Sequence, residues 1–179
     1  MFTRTGHIAR IVGDVPPGQA VTTAFTAAAH RGLTGWDREH VHVLVPGGAR
    51  IRPPPEVPIR IHWTNDWRRE DVRGGIHSMP SALAVAADTV RQPRPACGLF
   101  AAAVQQRLVS ADAPERELAG RPRVRHRAAL FLAVADISQG AHALSEIDFA
   151  RLCRRGLPEP ARQAVRVEPG GRRRYLDAA

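Results

Sequence analysis

Val41-His42-Val43-Leu44-Val45-Pro46 and, thirteen residues further on, Ile59-Arg60-Ile61-His62-Trp63 are the stretches that decide the fold class. Both are rich in β-branched residues and alternate as strands do, and Pro46-Gly47-Gly48 with the prolines 53 to 55 punctuates the chain between them. The two runs are therefore expected to share a sheet. On the first, Val41, Val43 and Val45 point one way and His40, His42 and Leu44 the other. His40, His42 and His62 make one candidate metal site. A polar outer strand face accounts for the same pattern, since no carboxylate or cysteine stands at matching spacing.

Outward from these strands the sequence turns helical. Residues 20–33 are alanine-rich and free of internal glycine and proline until Gly32, which suits a helix closed by that glycine. Downstream, Met79-Pro80-Ser81 opens a helix over 79–90, a second covers 96–109, and a loop surrounds Ala113-Pro114. A third helix is predicted over 122–137. Its first turn would be the arginine cluster, and its apolar part, 128–134, would have to be buried. After the stiff turn Leu157-Pro158-Glu159-Pro160, strands over 162–168 and 172–177 flank the loop Pro169-Gly170-Gly171 as a hairpin. The expected class is α/β, of the α+β kind: a small mixed sheet with several helices over 1–138, then a helix plus β-hairpin over 139–179.

A length of 179 residues suits one full domain and part of a second. No uncharged run is long and apolar enough to span a bilayer, and the first thirteen residues lack the apolar block of a secretory signal. The expected location is cytoplasmic, with no membrane partner. There Cys97 and Cys153 are expected as two separate thiols. All 26 basic residues are arginine. The absence of lysine excludes a phosphate-loop lysine, a Schiff-base lysine and the lysine of the usual metal-dependent nuclease signature.

The charge is uneven. Residues 1–90 hold 10 Arg against 8 acids, and residues 91–179 hold 16 Arg against 9. The clusters Arg121, Arg123, Arg125 and Arg127, then Arg151, Arg154 and Arg155, then Arg172, Arg173 and Arg174, are of a kind that displaces counterions from phosphate backbones. DNA is the expected partner. A solvated arginine surface is the alternative, because net charge alone speaks to non-specific binding rather than to a task.

The segment from Gly140 to Pro160 carries the chemistry. At about 100° per residue, Asp148, Arg151, Arg154 and Arg155 fall on one side of a helix, and Glu146 falls among the apolar residues of the other. A carboxylate on an apolar face is a site candidate. Equally, Ser145 as N-cap would leave Glu146 in the first turn, where acids are favoured. Asp177, near the end of the last strand, would complete a pair of acids able to hold a divalent cation.

The runs Leu144-Ser145-Glu146-Ile147-Asp148-Phe149, Gly156-Leu157-Pro158-Glu159-Pro160, Arg162-Gln163 and Arg174-Tyr175-Leu176-Asp177 together resemble the opening of an uncharacterised family similar to very-short-patch-repair endonucleases, within the PD-(D/E)XK nuclease group. The resemblance implies that Glu146 and Asp177 match metal-site acids, and that magnesium belongs to a complete relative; it fixes no cofactor for this chain. Ala29-His30-Arg31-Gly32-Leu33 and residues 40–46 resemble, more loosely, the body of AbiEi-type antitoxins of type IV toxin-antitoxin systems. The family's further acidic strand has no counterpart after Asp177, so the expectation is a truncated nuclease-like domain with a vestigial site that does not cleave. Its terminal strand would be an edge open to self-association.

Three functional readings follow from the sequence. The first is a nucleic-acid-associated protein derived from a nuclease. The second is an antitoxin-like transcriptional regulator, and the third a truncated reading frame without independent function.

Overall fold

The computed structural model describes residues 20–49, 58–68 and 71–138 with their side chains, and the strand backbones of 162–167 and 173–178. The described elements run β1 (Val21–Thr22), α1 (Ala24–His30), β2 (Val41–Pro46), β3 (Ile59–Thr64), β4 (Val72–Arg73), β5 (Ile76–His77), α2 (Met79–Thr89), α3 (Pro93–Gln105), α4 (Ala113–Ala119), α5 (Arg127–Ser138), β6 (Arg162–Val167) and β7 (Arg173–Ala178). Strands β1 to β5 form one sheet in the order β3-β2-β1-β5-β4, and β6 and β7 form a separate ribbon. The class is α/β with a mixed sheet: β2 runs parallel to β3 and antiparallel to β1, while β1 runs parallel to β5.

The two strands expected from the sequence are adjacent, in a register that sets Val41 against Ile59 and Val45 against Trp63. β2 is flanked on both edges, and all of Val41 to Val45 is buried. Val41, Val43 and Val45 pack with Ala20, Ile59 and Ile61 on one side of the sheet. His42 lies on the other, its ring edge-on to Phe25 of α1 at 5.5 Å. The polar outer face expected for His42 and Leu44 is thus corrected: a strand paired on both edges, with a helix across this side, has no wet face here.

Helices α1 to α5 build the main core, in which Phe100, Leu83, Leu99, Leu118 and Leu130 are fully buried. Alanines Ala24, Ala27 and Ala28 of α1 and Ala82, Ala86 and Ala87 of α2 let these two helices pack closely. The helix expected over 20–33 begins later, because Val21–Thr22 joins the sheet and the chain turns sharply at Ala24, with φ 48°. Its closing glycine is where the sequence put it. Gly32 has φ 101°, its N–H bonds the Ala29 carbonyl at 3.0 Å, and the Leu33 N–H bonds the Ala28 carbonyl at 2.9 Å. This is a Schellman closure, in which glycine relieves the left-handed strain. Gly32→Ala is expected to lower stability by about 1–2 kcal/mol, since a left-handed L-residue costs that much and its Cβ would press to 3.3 Å from Leu108. Denaturant unfolding checks it; an unchanged midpoint would rule out the strain argument.

α2 opens as expected, with Ser78 as N-cap accepting the Ser81 N–H at 3.4 Å. α3 starts at Pro93, three residues earlier than Ala96, because Pro93 and Pro95 sit in a first turn where no amide partner is forfeited. The loop expected around Ala113-Pro114 is the first turn of α4, for the same reason. The third predicted helix starts at Arg127 rather than at residue 122. Arg121, Arg123 and Arg125 therefore precede it, and only Arg127 stands in its first turn. Its apolar part is buried on one side only: Leu130, Ala133, Val134 and Ile137 are covered, but Leu132 is 52% exposed. Cys97 is buried, its Sγ 3.5 Å from the Ala129 carbonyl. Cys153 lies outside the described residues. Among the described residues no helix is long and apolar enough to cross a membrane.

Candidate nucleic-acid interface

The link between α4 and α5 carries three of the candidate arginines and the first turn of α5 a fourth, and the structure divides them. Arg121 is folded inward, its side chain 15% exposed, with one nitrogen 3.1 Å from Asp71 Oδ2 and its Nε on Glu117. Arg127 donates to the Leu118 carbonyl at 3.0 Å and lies 4.4 Å over the Phe131 ring. Arg123 and Arg125 are exposed. Their segment is fixed at its backbone: the Arg125 N–H donates to Asp88 Oδ1 at 2.6 Å, and the His126 ring nitrogen meets the Val90 carbonyl at 3.0 Å. Held loop plus exposed guanidinium is an arrangement that fits phosphate contact, because little order has to be imposed on binding.

The remaining candidates lie toward the end of the chain. Glu146, Arg154, Arg155 and Arg172 fall outside the described residues. Asp177, Arg173 and Arg174 are on β7, whose pairing with β6 sets Arg174 opposite Arg166 and Arg173 opposite Val167. The hairpin has the strands expected from the sequence, with bounds shifted by one residue. The pairing of Glu146 with Asp177 as a cation site lies outside the described residues, because Glu146 does.

The histidines are arranged differently from the expected metal site. His42 Nδ1 and His62 Nε2 are 2.9 Å apart, with rings stacked at 5.1 Å and 18°. His40 stands one residue before β2 and is exposed. Among the described residues no group of three His, Cys, Asp or Glu side chains can hold a metal ion. The three-histidine site is therefore corrected to a two-ring hydrogen bond, in which one ring donates and the other accepts. Burial, then the neighbouring His62 and Arg60, pushes His42 down to about 3. Burial and Arg60 push His62 down to about 4, against a weaker pull from Asp88.

One further buried histidine escaped the sequence reading. His77 ends β5, its Nδ1 2.9 Å from Thr23 Oγ1, and its carbonyl accepts from Arg31 Nε. Burial, then Arg121, holds it down to about 4. The sequence did carry a signal for its position: Arg73-Gly74-Gly75-Ile76 is a two-residue hairpin turn, and both glycines have positive φ, 60° and 74°. The hydrogen bonds of these three histidines join β2 to β3 and β5 to the start of α1. Among the described side chains of the candidate set, Arg123 and Arg125 are the exposed ones. Comparison with family models, curated proteins and solved structures gives no match to this chain.

Proposed function

We propose that the chain binds duplex DNA through phosphate contacts, with little sequence preference, as a nucleic-acid-associated protein related to the nuclease family it resembles. The observation that carries this is the charge: a net +9 overall, with 16 of the 26 arginines in residues 91–179 against 9 acids. Such a field lowers the free energy of a polyanion nearby whatever its base sequence. Arg123 and Arg125, exposed on a pinned turn, are the described residues best suited to make the contacts. An arginine fork reaches two phosphate oxygens at once, and its charge does not titrate.

The test is a mobility shift with a labelled duplex over a salt series, with unlabelled duplex of scrambled sequence as competitor. Log affinity is expected to fall linearly with log salt, by about 0.9 per phosphate neutralised, and the competitor to displace the probe on equal terms. Affinity that stays flat from low to moderate salt would defeat the electrostatic reading. A preference of about a thousandfold for one sequence would instead point to an operator-binding regulator.

A further inference from the structure

β3 is the long open edge of the main sheet. The strand order ends on β3 at one side and on β4 at the other. β4 is two residues long and offers little to pair with, whereas β3 has six residues and one charge, Arg60. The direction of its backbone groups follows from the bonds it makes. The Pro58 and Thr64 carbonyls accept from the Val41 and Gly47 N–H groups at 2.7 and 2.9 Å, so both point toward β2. Backbone groups alternate between the two edges along a strand, so those of Arg60 and His62 also face β2 and those of Ile59, Ile61 and Trp63 face outward. Among the described residues nothing pairs with this outer edge. The side chains of the outward residues are apolar and share one side of the sheet. Ile59 and Ile61 pack there with Val41, Val43 and Val45, and Trp63, level with Val45, is 59% exposed.

We propose that β3 is a dimerisation edge, pairing antiparallel with β3 of a second copy about a twofold axis through Ile61. Self-complementarity is what selects a second copy over another extended segment. A twofold axis perpendicular to the sheet keeps like faces together, and the same patch then serves both copies. With the axis at Ile61, Ile61 meets Ile61 and Ile59 meets Trp63 of the second copy, so all three outward residues exchange N–H···O bonds with their opposites. An axis at Arg60 or His62 leaves one of the three beyond the end of the facing strand. The side chains agree with that register. Trp63 comes to lie opposite Ile59, an aromatic and β-branched pair of the kind that stabilises strand pairing. On the other face Arg60 stands opposite His62, whose ring is neutral at pH 7, so no like charges are directly opposed. Dimerisation is independent of DNA binding and has the opposite salt dependence, because each copy carries +9 and salt screens the repulsion between them.

Sedimentation velocity on the full chain over a concentration series tests the edge. A single strand pair is a small contact, so the expected result is a reversible equilibrium between monomer and dimer that shifts toward dimer as salt rises. Trp63→Ala is expected to weaken dimerisation by about tenfold or more, as truncation of an interface aromatic does. Its melting temperature should match that of the wild type at low concentration, because the side chain is 59% exposed. Register is read by disulfides, in a Cys153→Ser background. Oxidised Ile61→Cys is expected to link two copies, since directly opposed Cα atoms of a hydrogen-bonded pair lie about 5.5 Å apart, within disulfide reach. Trp63→Cys is expected to stay unlinked by itself and to link when mixed with Ile59→Cys. A wild type that is monomeric at every concentration would overturn the proposal, as would a dimer of unchanged affinity in Trp63→Ala. Self-linking of Trp63→Cys as efficient as that of Ile61→Cys would also overturn it, because the axis would then not pass through Ile61.

Discussion

Acidification from pH 7 to 5 is expected to cost the protein about 6 kcal/mol, a fall comparable with the whole stability of an ordinary domain, about 5–15 kcal/mol. The cause is the trio of histidines kept neutral in the fold. His42, His62 and His77 are held down to about 3, 4 and 4, chiefly by burial. In the unfolded chain each takes up a proton near pH 6.5. The unfolded state therefore binds more protons below that pH, and stability rises with pH there. The contribution is complete above about pH 6.5 and is lost as pH falls toward the folded values, at about 1.4 kcal/mol per pH unit for each histidine. Asp88 beside His62 and Asp71 beside His77 pull the other way, and in both cases burial and the arginines prevail.

Denaturant unfolding at successive pH values measures this directly. His77→Gln keeps a polar partner for Thr23 and removes one titrating ring, so its stability should fall less steeply than that of the wild type between about pH 6 and pH 5, by about 1.4 kcal/mol per unit. Identical slopes in the two proteins, or a wild type that gains stability on acidification, would show that the histidines take up protons within the folded state.

What the sequence disclosed, and what it hid, follows from how far each signal reaches. β2 and β3 were legible because six-residue alternating runs carry their own period. The three other strands of that sheet differ. β1, β4 and β5 are two residues long, too short for any period, and exist because neighbouring strands complete their hydrogen bonds. α4 was hidden by Pro114, which reads as a breaker unless it is placed in the first turn. His42 was misread for a different reason. Alternation separates the two sides of a strand but does not say which of them is covered, and here α1 covers the histidine side, with the ring against Phe25. The candidate arginines were legible as charge. Their division into held and exposed groups was not, because Arg121 finds Asp71 fifty residues away in sequence.

That ion pair makes Arg121 the residue whose removal should separate fold from function. Its guanidinium joins Asp71, next to β4, to Glu117 of α4, and the three side chains are only 10–16% exposed. Arg68 adds to the same corner, donating to the Gly120 carbonyl and pairing with Asp66 at 2.8 Å. The network thus ties the small strands to the end of α4. Arg121→Ala would deprive the largely buried Asp71 and Glu117 carboxylates of the guanidinium they share, and removing one partner of such a buried network costs about 3 kcal/mol. The expected result is a lower unfolding midpoint for Arg121→Ala, with DNA affinity per folded molecule close to that of the wild type. Arg123→Ala/Arg125→Ala is expected to behave in the opposite way. Both side chains are exposed, so stability should change by no more than about 0.5 kcal/mol, while the salt slope falls by about 2. Paired measurements of unfolding and DNA binding on the two variants decide between the assignments. A stable Arg121→Ala protein that no longer binds DNA would move Arg121 back to the interface, and an unstable Arg123→Ala/Arg125→Ala protein would make that turn part of the core's support.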